Sequence, residues 1–218
     1  MIHHLDISLR GLLRELAPEG SELAEADISF EVPDAEWRSS LETLTLNCYL
    51  YRLHENHDLR PTEPIVQRTH PAPGGGNGEV ATGRRRPAPV PIDCSYCLTA
   101  WSTAATDAAA EEHQLLSEVL EVLLRHRVWP PGQLWGELDD PITPYPVVQT
   151  FAEDLSTPGE FWTALDHPVK PSLNCVLTVA AEPALPGRYG PVELVQEVEV
   201  TVPDDAPEPP GSAPPGDG

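Results

Sequence analysis

The chain has 218 residues and a formal net charge of −22, with 13 Lys and Arg against 35 Asp and Glu. That balance excludes a nucleic-acid binder that tracks phosphates and a ligand of anionic membrane surfaces, since both need a basic footprint. Hydrophobic residues make up 40% of the chain, enough for a real core, and the length fits one domain with tails.

The N-terminal MIHHLDISLRGLL lacks a basic n-region and a small-residue cleavage site, so it does not read as a secretory signal. No apolar run approaches the ~20 residues of a spanning helix. A cytosolic setting keeps Cys48, Cys94, Cys97 and Cys175 reduced.

Residues 2–16 place Ile2, Leu5, Leu9, Leu12, Leu13 and Leu16 at helical spacing, and Pro18 and Gly20 stop that helix. Ile28, Phe30 and Val32 alternate with Ser29 and Glu31 as a short strand closed by Pro33. Residues 34–42, with Trp37 and Leu41, form a turn or short helix. Residues 44–54 are the central strand. Leu44, Leu46, Cys48 and Leu50 point one way, Tyr49 and Tyr51 the other, so both faces are buried. Its end turns polar at Arg52, His54, Glu55, Asn56, His57, Asp58 and Arg60.

Residues 61–91 hold seven prolines, five glycines and the run Arg84–Arg85–Arg86. They read as a long flexible loop between two strands, functional or simply solvated. A strong strand follows at 91–102. The best helix starts at Thr106 or Asp107 and runs to His126. Leu115, Leu116, Val119, Leu120, Leu123 and Leu124 form its apolar face, and Pro130–Pro131 ends it. A strand at Val147–Phe151, a short helix at Gly159–Asp166 and strands at Leu173–Ala181 and Val192–Val202 complete the order. The last strand alternates cleanly, as an edge or hairpin strand does. Residues 203–218 carry six prolines, three glycines and four acids and read as a disordered acidic tail. The fold class is α+β: a single mixed or antiparallel sheet flanked by helices, spanning residues 1–202.

No phosphate-binding glycine loop, HExxH or GxSxG motif is present. Cys94 and Cys97 match CxxC. Residues three apart in a strand face opposite sides, and a zinc site would need two further ligands. They read as small buried hydrophobes. An enzyme of the metal-dependent kind would have to be built from His54, Glu55, His57 and His113. No nucleophile, base and orienting group stand in order among them. The reading is therefore no catalytic, metal or cofactor-binding residues.

Six segments in order resemble one family. They are DISLRGLLRE at 6–15, ISFEVPDAEW at 28–37, LNCYLYRLHENHDLR at 46–60, DCSYCLTAW at 93–101, EEHQLLSEVLEVLLRH at 111–126 and PSLNCVLTV at 171–179. Together they resemble the Pvc16-type domain of contractile injection systems, which are phage-tail-like particles. The loop at 61–91 varies within that family, the acidic tail is not part of its pattern, and larger relatives carry an extra C-terminal domain.

The resemblance implies a phage tail terminator-like fold and a structural cap. Such a cap is a homo-oligomer, a six-fold ring on the distal end of the inner tube. Its partners are the inner tube protein and the sheath protein, with no nucleic acid, membrane or cofactor. Its location is cytoplasmic within an assembled particle, with later release left open. An assembly chaperone for the same particle is the alternative, and the enzyme a further one. Placement and charge nominate Arg52, Glu55, Arg60, Arg84, Arg85 and Arg86 as interface residues.

Overall fold

A computed structural model describes residues 1–60, 63, 65–69, 82–129, 132–139, 148–151, 158–181 and 191–193; at 65–69, 82–86, 137, 148–151, 158 and 191–193 the description is of the backbone. The chain builds a mixed five-stranded sheet in the order β1 (Asp27–Ser29), β2 (Thr45–Glu55), β5 (Val90–Trp101), β7 (Leu173–Ala181), β6 (Val148–Phe151). β1 runs parallel to β2; every other neighbouring pair in this sheet is antiparallel. Three further strands, β3 (Ile65–Thr69), β4 (Thr82–Arg86) and β8 (Pro191–Glu193), form a second, antiparallel sheet with β4 in the middle.

The expectation of α+β architecture with a mixed sheet and flanking helices holds; the second sheet is an addition. Two of its strands, β3 and β4, lie inside the stretch expected to be a loop. None of the prolines of that stretch falls in 65–69 or 82–86, so both segments are free to pair. Arg84–Arg86 is therefore strand, not loop. The strand expected at Val192–Val202 begins as β8 and pairs with β4, away from the edge of the main sheet. Residues 194–202 and the tail at 203–218 lie outside the described residues.

Alternation along the strands gives the main sheet two cores. The first face carries Leu46, Cys48, Cys94, Tyr96, Leu98, Cys175, Leu177 and Val179. Against it pack helix α1 (Ile2–Leu16) and helix α4 (Ala108–Arg125). Leu5, Leu9, Leu12 and Leu13 of α1 are fully buried, each worth about 1.5–3 kcal/mol relative to exposure. The second face carries Trp101 and Cys97. They are covered by Trp37 from α3 (Ala35–Ser39) and by Trp162 and Leu165 at α5 (Pro158–Ala164).

The four-residue helix α2 (Glu22–Glu25) is too short to show an apolar period and is held from outside. Arg14 of α1 donates to the carbonyls of Leu23, Ala24 and Ala26 at its C-terminal end. The Glu118 carboxylate of α4 accepts from the Leu23 amide, 2.8 Å away, at its N-terminal end. Both ends of a helix leave backbone groups without intrahelical partners, and these two side chains satisfy several of them.

Segment 132–139 closes over α1. The Ser8 hydroxyl donates to the His4 carbonyl at 2.7 Å and accepts from the Trp135 amide at 2.9 Å. Gly136 has φ +60, and a Cβ there would fall 2.6 Å from the His4 ring. Left-handed backbone costs a residue with a side chain about 1–2 kcal/mol, and the ring must also shift. Gly136→Ala is expected to lose at least about 1–2 kcal/mol in urea denaturation; an unchanged midpoint would contradict this packing.

Candidate functional site

β2 is interrupted once. Leu50 pairs with Tyr96 and Arg52 with Ser95, so Tyr51 is an extra residue and the register shifts. Such a bulge puts two residues opposite one and changes which face the later side chains take. Arg52 and His54, opposite Ser95 and Asp93, join the face of Cys97. Leu53 and Glu55, opposite Cys94 and Ile92, take the face of the first core.

Three of the polar residues come together beyond the bulge. Glu55 accepts from Arg60 at 2.5 Å and has His57 Nδ1 at 3.6 Å. Arg52 is not part of this group; it is exposed on the opposite face of the strand. His54 turns to Asp93, with Nε2 3.5 Å from Oδ2. Arg84, Arg85 and Arg86 sit on the middle strand of the second sheet, opposite Gln67, Val66 and Ile65.

Asp93 was not singled out from the sequence, although a carboxylate inside so apolar a strand was a usable signal. It is 8% exposed. It accepts from Thr178 Oγ1 at 2.6 Å and from Asn56 Nδ2 at 3.3 and 3.1 Å. Buried carboxylates persist when hydrogen-bonded in this way. The cluster fastens the end of β2 to β5 and β7, and its acceptors are spent on that task.

The residues of the enzyme alternative are not assembled. His54 and Glu55 lie on opposite faces. His113 is near the start of α4, whose Glu112 accepts from the Ser102 amide just past Trp101, at the other end of the sheet from His54. Among the described residues no group of three His, Cys, Asp or Glu could hold a metal ion. The thiols face both cores: Cys94 is in the first and Cys97 in the second. Burial pushes Cys97 up to about 11 and Cys94 and Cys175 up to about 12. Cys48 is raised further, by burial first and then by its neighbours Cys175 and Asp6. These are unreactive thiols.

One hydrogen-bonded pair joins α1 to the sheet, with Asp6 half-buried and Tyr96 buried. Tyr96 Oη donates to Asp6 Oδ1 at 2.7 Å. Burial raises the Asp6 carboxyl above its ordinary 3.8, and the Tyr96 hydrogen bond, His3 and Arg10 only partly offset this. A carboxyl raised by folding contributes stability that is present below 3.8 and is lost as pH rises through its folded value. Asp6→Asn keeps an acceptor for Tyr96 and removes the charge. Its stability relative to the native chain is therefore expected to grow from pH 3.8 upward and then level off. A difference that stays flat with pH in thermal melts would refute this account.

Among the described residues no helix is long and apolar enough to cross a membrane. No curated protein matches the sequence. The fold is similar to a solved sheath/tube terminator of an extracellular contractile injection system (PVC) in its extended state. The TM-score is 0.59 at 22% identity over 94% of this chain and 64% of that one. It is also similar to the anti-feeding prophage cap, a tube-terminating cap, with TM-score 0.53 and 24% identity over 91% of this chain and 60% of that one. The chain thus spans less than two thirds of either structure. The sequence model of the Pvc16 N-terminal domain family matches residues 4–192. The chain belongs to the Pvc16 N-terminal domain family.

Proposed function

We propose that this protein is the structural cap of a contractile injection system. It forms a six-fold ring on the distal end of the inner tube, ends tube and sheath growth, and ties the last sheath ring to the tube. The observation that carries this reading is the shared fold: more than nine-tenths of this chain superposes on two proteins whose names are terminator and cap. The family match over residues 4–192 supports it.

The reading is of a non-enzymatic protein. A cap needs edges that complement its own copies and a face that matches the tube, with no chemistry. The partners are further copies of the chain, the inner tube protein and the sheath protein. Its location is the assembled particle, of the kind that the first similar structure describes as extracellular. The working unit is residues 1–202, with 203–218 dispensable for folding. Arg52, the Glu55–Arg60 pair and Arg84–Arg86 lie at subunit or tube contacts. Reversing Arg84, Arg85 and Arg86 to glutamate is expected to weaken particle binding without unfolding the chain; undiminished binding in a pelleting assay would take the run off the interface.

Co-sedimentation tests the whole reading. The tagged protein is followed in its own host through pelleting of large particles, mass spectrometry and electron microscopy. A few copies at one end of sheathed tubes is the expected result. Normal capped tubes that pellet without it, while it stays soluble as a monomer, would replace the cap reading with the chaperone.

A further inference from the structure

Among the described residues, the main sheet leaves one strand position half filled. β2 extends from Thr45 to Glu55, yet β1 covers it only opposite Thr45, Leu46 and Asn47. Beyond Asn47, no described residue pairs with that edge. The chain leaving β1 leads instead into α3, and Phe30, Glu31, Val32, Asp34 and Trp37 are among the residues lining a groove of about 640 Å³; the Glu31 carbonyl accepts from Nδ2 of Asn47, the last β2 residue that β1 covers. An uncovered strand edge is a template for another strand.

The two sides of this edge differ in chemistry. The bulge puts Arg52 and His54 on one side and Leu53, 46% exposed, on the other. Residues 194–202, LVQEVEVTV, have the matching pattern. Leu194, Val198, Val200 and Val202, with Gln196 among them, fall on one face of an extended segment; Glu197 and Glu199, with Val195 and Thr201, fall on the other. Laid along β2, the segment would set its valines beside Leu53 and its glutamates beside Arg52 and His54.

We infer that the open edge of β2 is a strand-addition site for residues 194–202 of a second copy of this chain. The inference rests on the ring reading and supplies its head-to-tail link. The direction of β8 favours a second copy over the same chain. Pro191 lies opposite Arg84 and Glu193 opposite Thr82, so the chain departs at the end of β4 remote from β5. β8 also flanks β4 on the side away from β3, the strand that follows β2. Arg52 lies opposite Ser95, and up to roughly 40 Å of extended chain separates Ser95 from Thr82. Residues 194–202 span at most about 30 Å. A return within one chain would spend much of the segment on the way back along β4. A neighbouring copy has no such constraint. Donor and acceptor are different surfaces, so the contact is heterologous and closes as a ring when the rotation allows.

The test uses the full chain with Leu53→Cys and Val198→Cys, singly and together, a bismaleimide crosslinker and sedimentation velocity. The four native thiols are at most 2% exposed, so the probe reads the introduced pair. The double variant is expected to give a ladder of interchain products, and a mixture of the two single variants a dimer. Val198→Pro removes a ladder amide and is expected to leave monomer. Arg52→Glu should weaken assembly roughly tenfold, with recovery when Glu197→Lys and Glu199→Lys are added. Products confined to single chains overturn the inference. So does a ring that assembles without interchain products and ignores Val198→Pro, although the ring reading then survives. A chain that stays monomeric at every concentration and beside purified tubes removes the ring reading, and the inference with it.

Discussion

Lys170→Met is expected to lower the unfolding free energy by about 3–5 kcal/mol, the usual cost of stranding one member of a buried ion pair. The Lys170 side chain is 10% exposed and that of Glu112 17%. The ammonium donates to Glu112 Oε2 and stands 4.6 Å from the centre of the Trp101 ring. Glu112 Oε1 accepts from the Ser102 amide. One cluster therefore joins the end of β5, the start of α4 and the approach to β7. Without the ammonium, Glu112 keeps one backbone donor and a largely buried charge. Replacing both partners, Lys170→Met with Glu112→Leu, is expected to recover much of the loss, because the desolvation penalty goes with the pair. Urea denaturation of the two variants measures this. A single-variant loss below about 1 kcal/mol would mean that the pair behaves as an exposed one.

Trp162→Ala is expected to cost about 3–5 kcal/mol, as large aromatic truncations in cores do. Trp162 is 2% exposed and anchors a helix of only seven residues. Its ring meets Phe161 edge-on at 5.5 Å and His167 at 5.7 Å, in the core shared with Trp37 and Trp101. Arg38 supports the same helix from α3, donating to the carbonyls of Leu165 and Asp166 at 3.0 and 3.1 Å. So short a helix has little stability of its own. In hydrogen exchange, the amides of α5 should lose protection ahead of those of β5 in the variant. Uniform loss across both would show that the second core is not a separate unit.

The long elements were legible because their periods are long. α1 and α4 repeat leucines over many turns, and β2, β5 and β7 carry apolar residues on both faces, as buried strands must. α2 was not legible: four residues carry no period, and its stabilisers, Arg14 and Glu118, come from other helices. β3 and β4 were hidden by the prolines and glycines around them, which raise the loop signal of the whole stretch although no proline and only Gly83 falls within the two segments. Alternation at 192–202 announced a strand but not its partner, since a pattern of faces says nothing of which edge it meets. That Arg52 stands on the other face from Glu55 was not legible for a related reason. The extra residue at Tyr51 has no signature, being neither glycine nor proline, and an uninterrupted strand reads the same. The six ordered segments pointed to the family that the sequence model matches.

That extra residue makes β2 tolerant of a change in length. Deleting it would restore an unbroken ladder in which Arg52 still meets Ser95 and His54 still meets Asp93. Every later side chain would keep its face, and Leu46, Cys48 and Leu50 their places. What would go is the local bend and added twist that a bulge imposes. A one-residue deletion at this point thus re-aims the far end of the strand and spares the pattern of faces it displays.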